Sequence, residues 1–211
     1  MITAKQASEF ILNDLTGVSV IPVLVVDDYT LAADLAKILV DAGLPILEVT
    51  LRTPNALRVI EEMAKVDGAI VAAGTVLNES HVQDAKSAGA RFLVSPGYTA
   101  SLFSTASQAD MPLLPGVATA SEVMSAADVG FSLVKFFPAQ INGGVPALKA
   151  LGGPLPEMRF CPTGGVNMTN MNEYLALKNV ACVGGSWMVT DEDLLTRNWR
   201  NIADKANALK R

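Results

Sequence analysis

The sequence predicts one domain over residues 1–211, an α/β protein with the (β/α)8 TIM barrel fold and an additional N-terminal helix. Eight short apolar segments rich in β-branched residues are each followed by a segment with helical spacing or a helical turn. The apolar segments do not alternate with polar residues, which is typical of parallel strands covered on both faces. Eight such units, with no linker or low-complexity segment between them, favour a closed barrel.

The elements follow in order along the chain. The N-terminal helix is predicted over 3–15, where Phe10, Ile11 and Leu15 share one side, and we expect it to lie across one end of the fold. Strands are predicted over 19–26, 46–52, 69–75, 91–97, 112–116, 132–137, 158–165 and 180–186. Helices are predicted over 29–42, from 54, over 79–88, from 100, from 119 or 121, over 145–151, from 169 or 170, and over 191–210.

An open doubly wound sheet is the rival fold for such a pattern of strands and helices. That fold usually carries a glycine-rich dinucleotide loop after its first strand. The first predicted strand here is followed by Asp27 and Asp28, with no such loop. The barrel is therefore the favoured prediction.

The composition excludes several classes of protein and of partner. Charged residues make up 18% of the chain, against a usual share of about 25%, and hydrophobic residues 50%, so disorder and coiled coils are excluded. This apolar excess also hints at surface buried in an oligomer. A net charge of -5 without a basic block argues against nucleic acid and anionic membranes as partners. No apolar run reaches the roughly 18 residues of a membrane helix.

The cysteines and the N-terminus indicate the cytoplasm. Cys161 and Cys182 both lie in apolar runs, where two free thiols suit a reducing compartment. They are too few for a disulfide framework, and with His81 as the only histidine their spacing does not fit a zinc site. The N-terminus contains acidic residues and no long apolar core, so a signal peptide is not expected.

One strand, within 131–139, contains a lysine among apolar residues. Lys135 is followed by two phenylalanines, and Pro138 ends the run. Burying an unpaired ammonium is so costly that the group tends to release its proton. A neutral lysine is a nucleophile, and its usual chemistry is a Schiff base with a carbonyl carbon. The alternative is a lysine whose stem follows the strand while its amine reaches solvent.

A second strand contains an acid among apolar residues. Glu48, Thr50 and Arg52 share one face because side chains alternate along a strand. Glu48 and Arg52 can therefore both point into the barrel mouth, where the sites of TIM barrels lie. Alternatively, Glu48 and Lys135 form a buried ion pair with a structural role, although such pairs rarely add stability over apolar packing.

Two glycine pairs end the seventh and eighth predicted strands, Gly164–Gly165 and Gly184–Gly185. Glycine lets backbone N–H groups approach an anion closely, and a following helix start adds a favourable dipole. The loops after strands seven and eight often form the phosphate site of this fold, whereas the alternative is ordinary turn glycine. Near the C-terminus, 191–193 is expected to be a solvated acidic helix end.

Eight segments together resemble one enzyme family, the 2-keto-3-deoxy-6-phosphogluconate (KDPG) aldolases, also described as 4-hydroxy-2-oxoglutarate (KHG) aldolases. The segments are LEVTLRT, AAGTVLN, SPG, LPGVAT, VKFFPA, NGG, FCPTGGV and GGSW, and the resemblance covers nearly the whole chain. It implies a class I aldolase of carbohydrate metabolism, usually a homotrimer, with no metal and no cofactor. The expected reaction cleaves KDPG to pyruvate and glyceraldehyde 3-phosphate, and also KHG to pyruvate and glyoxylate.

The resemblance also implies a role for each site residue. Lys135 of VKFFPA would form the Schiff base, Glu48 of LEVTLR would be the general acid and base, and Arg52 would hold the pyruvyl carboxylate. Thr75 and Thr163 would contact the same part of the substrate, Pro96 and Phe137 would wall the site, and Gly164, Gly165, Gly184 and Ser186 would bind the phosphate.

Two departures from the family concern substrate preference rather than reaction type. Some relatives have an arginine just before the first strand, where this chain has Val18 and Ser19, and many read PAEANGG where this chain reads PAQINGG with Gln140. The near alternative is an aldolase for the galactonate epimer. The others are a non-covalent phosphosugar isomerase or epimerase with Glu48 as base, and a phosphate-ligand binding protein without turnover.

Overall fold

The structure is a computed structural model that describes residues 1–209. The helices are α1 (Ala4–Asp14), α2 (Ala32–Asp41), α3 (Ala56–Met63), α4 (Glu79–Ser87), α5 (Ala100–Gln108), α6 (Ala120–Asp128), α7 (Gly144–Leu151), α8 (Met171–Leu175), α9 (Asp191–Leu195) and α10 (Trp199–Asn207). The strands are β1 (Val20–Leu24), β2 (Ile46–Thr50), β3 (Ile70–Gly74), β4 (Phe92–Val94), β5 (Leu113–Leu114), β6 (Gly116–Val117), β7 (Leu133–Phe136), β8 (Arg159–Pro162) and β9 (Val183–Gly185). Within residues 1–209, no helix combines the length and apolar character needed to cross a bilayer.

The strands form parallel sheets, which confirms the predicted α/β class. One sheet has six strands in the order β5-β4-β3-β2-β1-β9, and the other has three in the order β6-β7-β8. The fifth predicted strand is divided at Pro115, because proline has no N–H to donate to a ladder. On one side of Pro115, Leu113 pairs with Leu93 of β4, and on the other side Gly116 pairs with Lys135 of β7.

Two isolated parallel bridges connect β8 with the segment that leads through β9. They join Phe160 to Val180 and Thr163 to Gly184. The carboxyl ends of β8 and β9 therefore lie side by side, as the two glycine pairs of the sequence require if they are to act together.

The N-terminal helix covers one end of the strands, as predicted. Ile11 of α1 packs into a buried cluster with one face of the strands, here called the inner face, whose members include Ile21, Ile46, Phe92, Leu133, Cys161 and Cys182. Ser8 of α1 accepts hydrogen bonds at Oγ from the backbone N–H groups of Ser132 (3.1 Å) and Leu133 (3.3 Å). These bonds fix the helix against the start of β7.

Side-chain caps decide where several helices begin. Thr3 and Gln6 form a capping box at α1, and Thr119 with Glu122 forms another at α6. Each box satisfies backbone N–H groups that the first turn leaves without a partner. Thr119, rather than Ser121, is therefore the start of the sixth helix.

Both cysteines are buried, as their apolar surroundings predict. A hydrogen bond with Cys161, together with burial, raises the pKa of the Cys182 thiol well above its ordinary value. Since the thiolate is the reactive form, Cys182 is a core residue with little reactivity.

The single last helix predicted over 191–210 is wrong within the described residues. The chain forms α9 and α10 instead, with Arg197 in the left-handed region (φ 51°) between them and Asn198 capping α10. The predicted end at Lys210 lies outside the described residues. The solvated helix end predicted over 191–193 is also wrong for Asp193, which is 3% exposed.

Asp193 links the two C-terminal helices. Its carboxylate accepts hydrogen bonds from Lys205 Nζ (2.7 Å), Thr190 Oγ1 (2.7 Å) and Asn201 Nδ2 (2.6 Å). Burial raises the pKa of this carboxyl, but the hydrogen bonds from Lys205, Thr190 and Asn201 outweigh burial and hold the pKa well below its ordinary value. The ionised form is thus stabilised by folding.

Asp193→Asn should lower the free energy of unfolding by about 2 kcal/mol at pH 7, because hydrogen bonds to a charged group are lost. The folded pKa lies below the unfolded value of about 3.9, so this stabilisation is present above that pH and is lost as the pH falls further. Denaturant unfolding of both proteins between pH 7 and pH 2 measures the effect. The exposed neighbour Asp191, changed to Asn, is the control, and equal stability of Asp193→Asn and wild type at pH 7 would contradict the expectation.

Candidate active site

Lys135 and Glu48 meet on the inner face. Lys135 Nζ donates to Glu48 Oε1 over 2.9 Å, and the two side chains are 7% and 4% exposed. Their strands, β7 and β2, belong to different sheets and are not neighbours in either. The lysine therefore does not reach solvent, and the contact crosses the space between the two sheets.

This contact has the geometry of the buried ion pair considered as an alternative. Such a pair gives little stability over apolar packing, because both charges lose their hydration. The same 2.9 Å separation is also a proton-transfer distance, since a general acid or base must lie within hydrogen-bond reach of the proton it moves. Transfer of one proton from Lys135 to Glu48 yields a neutral amine beside a carboxylic acid.

Arg52 lies just beyond the end of β2 and is exposed. Its Nε donates to Thr50 Oγ1 (3.2 Å), while the Thr50 hydroxyl donates to the carbonyl of Leu24 on β1 (3.0 Å). Glu48 and Thr50 share one face of β2 by strand alternation, and Arg52, which lies in the turn beyond the strand, contacts Thr50. The chain of hydrogen bonds fixes the inner end of the guanidinium, whose planar fork matches a carboxylate.

Thr75 follows β3 with φ at 59°, in the left-handed region. A β-branched residue is rarely found there, and such strain clusters at functional sites.

The two predicted wall residues, Pro96 and Phe137, lie just beyond the ends of β4 and β7. Lys135 Nζ lies 5.4 Å from the centroid of the Phe137 ring, and the backbone of Pro96 packs where Gly116, the ladder partner of Lys135, has no Cβ.

The glycine loop after β8 lies beside the glycine pair at the end of β9. Thr163 bridges to Gly184, and the Thr163 hydroxyl occupies the volume where a Cβ on Gly184 would lie. Gly164 and Gly165 have φ values of 94° and 78°, which glycine adopts readily. The expected contribution of helix starts stays a prediction: α8 begins at Met171 and α9 at Asp191, and the first turn of α9 is acidic, which does not favour an anion there.

One contact behind these loops had not been predicted. Tyr174 of α8 is fully buried and donates through Oη to Gln140 Oε1 (2.9 Å). The backbone N–H of Gln140 donates in turn to the Gly164 carbonyl (3.0 Å). Burial, and the charge of Glu173, raise the pKa of Tyr174, so its hydroxyl remains a donor. The sequence marked this position only through Gln140, which in PAQINGG stands where many relatives have an acid.

Two further observations bear on ligands. Within residues 1–209, no group of three or more His, Cys, Asp or Glu side chains is placed to hold a metal ion. A groove of about 580 Å³ lies beside β1 and α9, lined by residues that include Val25, Leu31 and Leu195, and contains none of the predicted site residues.

Comparison with known proteins gives a consistent result. A family model described as KDPG and KHG aldolase matches residues 11–205. The KHG/KDPG aldolase of Escherichia coli strain K12 is 47% identical over 203 residues, which are 96% of this chain and 94% of that protein. A crystal structure of KDPG aldolase from Legionella pneumophila, with pyruvate captured as a covalent carbinolamine intermediate, has a TM-score of 0.90 at 43% identity, covering 95% of this chain and 98% of that one. The 2-keto-3-deoxy-6-phosphogluconate aldolase structure from Zymomonas mobilis with 3-phosphoglycerate has a TM-score of 0.87 at 45% identity, covering 95% and 96%.

Proposed function

The chain belongs to the KDPG and KHG aldolase family, and from that premise we propose how its site performs the reaction. The protein is a class I aldolase, a carbon–carbon lyase that cleaves KDPG to pyruvate and glyceraldehyde 3-phosphate. KHG, which would give pyruvate and glyoxylate, is the second substrate. The observation that carries the proposed mechanism is the buried contact of 2.9 Å between Lys135 and Glu48.

Lys135 is the nucleophile in the proposed mechanism. Its neutral amine attacks the C2 ketone, and the resulting carbinolamine loses water to form an iminium ion. The iminium accepts the electron pair of the C3–C4 bond as that bond breaks, which gives an enamine. Protonation of the enamine at C3 and addition of water then release pyruvate and regenerate the amine.

Glu48 moves the protons in these steps. As the C3–C4 bond breaks, its carboxylate takes the proton of the C4 hydroxyl, so that this oxygen becomes the carbonyl oxygen of the leaving aldehyde. The same carboxyl can then return a proton to C3 of the enamine. Its place beside Lys135 suits both transfers, because C2 is bonded to Nζ and C3 and C4 follow directly along the substrate.

Arg52 holds the carboxylate of the pyruvyl portion in this proposal. A guanidinium binds a carboxylate through two parallel hydrogen bonds, which would fix both the position and the direction of the substrate. Thr75 and Thr163 contact the same portion, and Pro96 and Phe137 wall the site. The hydrogen bond from Arg52 to Thr50 supports this role by aligning the guanidinium with the face that carries Glu48.

The phosphate of KDPG binds to the glycine loops, through the backbone N–H groups of Gly164, Gly165, Gly184 and Ser186. The adjacency of Thr163 and Gly184 supports this proposal, because it brings the two loops to one place. The relative from Zymomonas mobilis was solved with a phosphorylated three-carbon acid. The names of the relatives reported above concern the gluconate compound and KHG, which favours these substrates over the galactonate epimer.

Tyr174→Phe should raise KM for KDPG about five- to tenfold, because loss of one hydrogen bond of about 1 kcal/mol frees the loop at Gln140 and Gly164. It should leave KM for KHG, which has no phosphate, within about twofold. Steady-state kinetics with both substrates measures the difference. Tyr29→Phe, at a residue beside α2, is the control, and equal effects of Tyr174→Phe on the two substrates would contradict the prediction.

The proposal also includes closure of the two sheets into one (β/α)8 barrel. The bridges between β8 and the β9 segment support closure at one seam. At the other seam, β5 and β6 are separated by Pro115 alone. Counted as one strand, they give the eight strands that the sequence predicts.

Assembly as a homotrimer in the cytoplasm completes the proposal. Ile141 and Leu195 are 84% and 85% exposed, and cover by other copies of the chain would remove these apolar side chains from water. Light scattering should give three times the 22.2 kDa of one chain, and a monomer at micromolar concentration would contradict the trimer.

Mass spectrometry after incubation with pyruvate and borohydride tests the proposed mechanism. One pyruvate-derived adduct is expected, on the peptide that contains Lys135, because borohydride reduces an iminium to a stable amine. No adduct would overturn the Schiff base and favour the isomerase or binding alternatives, which form no covalent intermediate.

A further inference from the structure

Gly74, at the end of β3, lies beside the carboxyl group of Glu48. In the ladder between β2 and β3, Glu48 pairs with Ala72 and Thr50 pairs with Gly74, so the glycine is one inward position above Glu48. A Cβ on Gly74 would lie 2.5 Å from Glu48 Oε1, 2.8 Å from Cγ and 3.0 Å from Cδ. Non-bonded carbon atoms pack at about 3.5–4.0 Å, so the carboxyl group occupies the volume that any other residue would fill.

The backbone at this position does not itself require glycine. Gly74 is not one of the glycines with positive φ in residues 1–209. As part of β3, it pairs regularly with Thr50 of β2. The three heavy atoms nearest to its missing Cβ all belong to the side chain of Glu48. The contact that excludes a side chain is therefore with the carboxyl group, not with backbone.

We infer that Gly74 is a positioning residue for the aldolase reaction, which lets Glu48 place Oε1 against Lys135 Nζ. The inference rests on the proposed function, because it assigns Glu48 to proton transfer. Ala72 and Gly74 leave the wall of β3 almost without side chains opposite Glu48. Because no side chain of β3 occupies this volume, the carboxyl group of Glu48 can lie there and accept the 2.9 Å hydrogen bond from Lys135.

An added methyl group would move the carboxyl group rather than the strand. The end of a glutamate side chain can change rotamer, whereas the β2–β3 ladder pairs five successive residues. Gly74→Ala should therefore fold, with Glu48 displaced by about 1 Å from the proton it must move. Displacement on this scale can reduce a rate by about a hundredfold.

The experiment combines Gly74→Ala with Glu48→Gln in a double-mutant cycle. Gly74→Ala alone should lower kcat for KDPG about a hundredfold with KM within about threefold, and should slow exchange of the pyruvate methyl protons with solvent deuterium to the same extent. Added to Glu48→Gln, which already lacks the titrating carboxyl, it should change kcat by less than about threefold. If the two changes lower kcat additively, the inference is wrong, because the effect of Gly74→Ala would then not depend on the Glu48 carboxyl group.

Matched variants separate positioning from folding. Gly153→Ala adds the same methyl group at a position whose nearest atom is 3.6 Å away, and it should retain wild-type kcat. Gly74→Ala combined with Glu48→Asp, which shortens the acid by one methylene, should fold even if Gly74→Ala alone does not. If that double variant also fails to fold, the glycine serves the backbone and the inference is wrong.

The proposed function and the inference fail in different ways. Wild-type protein that forms no borohydride-stable adduct with pyruvate overturns the proposed function. Wild-type protein that forms the adduct and cleaves KDPG, together with Gly74→Ala at wild-type kcat, overturns only the role of Gly74.

Discussion

Replacing Lys135 with alanine should abolish cleavage of KDPG, with kcat reduced at least about 10⁴-fold, as for other removals of a covalent nucleophile. Without the amine, no iminium forms, and the electron pair of the C3–C4 bond has no acceptor. Coupled detection of pyruvate measures turnover, and mass spectrometry after borohydride should show no adduct. Residual turnover near the wild-type rate would remove Lys135 from the mechanism.

Two further variants make this result specific. Lys135→Arg keeps a positive charge beside Glu48 and should also be inactive, because arginine does not lose its proton in a protein. Lys149→Ala removes an exposed lysine of α7 and should retain full activity. Removal of one partner of a buried pair is itself destabilising, so circular dichroism must show that each variant is folded. Lys135→Met combined with Glu48→Gln removes both charges and is the folded inactive reference.

Replacing Glu48 with glutamine should slow cleavage by about a hundredfold or more, because the amide keeps the shape of the acid but cannot exchange the proton. Lys135 remains, so the pyruvate adduct should still form on long incubation with borohydride. Exchange of the pyruvate methyl protons with solvent deuterium, followed by NMR, should be slowed by the same factor as cleavage. The two assays thus distinguish proton transfer from formation of the covalent intermediate.

Glu61→Gln provides the control for this change, since Glu61 is an exposed acid of α3. It should leave cleavage, adduct formation and deuterium exchange unaltered. An unchanged cleavage rate for Glu48→Gln would assign the acid to a structural ion pair. If Glu48→Gln abolished the adduct as well as cleavage, Glu48 would instead be required for formation of the iminium.

Local pattern was enough to predict most elements and to single out Lys135 and Glu48, which the structure brings into contact. A charged residue within an apolar strand breaks its pattern, and Lys135 and Glu48 each do so. Strand alternation also predicted that Arg52 lies on the face of Glu48; the structure places Arg52 just beyond the strand, in contact with Thr50. These conclusions depend on neighbours within a few positions of each other in the chain, which the sequence shows directly.

Long-range contacts limited what could be predicted elsewhere. Asp193 stands in a run of three acids, a pattern typical of a solvated helix end, but Lys205 and Asn201 reach back from α10 to bury it. The division of the last helix between α9 and α10 is local by contrast, because Arg197 has a φ of 51° and the Asn198 side chain caps α10. The Tyr174 contact with Gln140 joins residues 34 positions apart, beyond any local pattern.

By itself, then, the sequence determined the parallel α/β class, most of the order of strands and helices, and the placement of Lys135 and Glu48 within strands, because each follows from the periodicity of apolar residues. Only the tertiary structure decided that Lys135 and Glu48 meet at 2.9 Å, that the strand around Pro115 pairs with β4 before it and with β7 after it, and that Gly74 lies against the carboxyl group of Glu48. The physical reason is that these features join separate strands. Their distances are set by the packing of the whole domain rather than by the residues beside them in the chain.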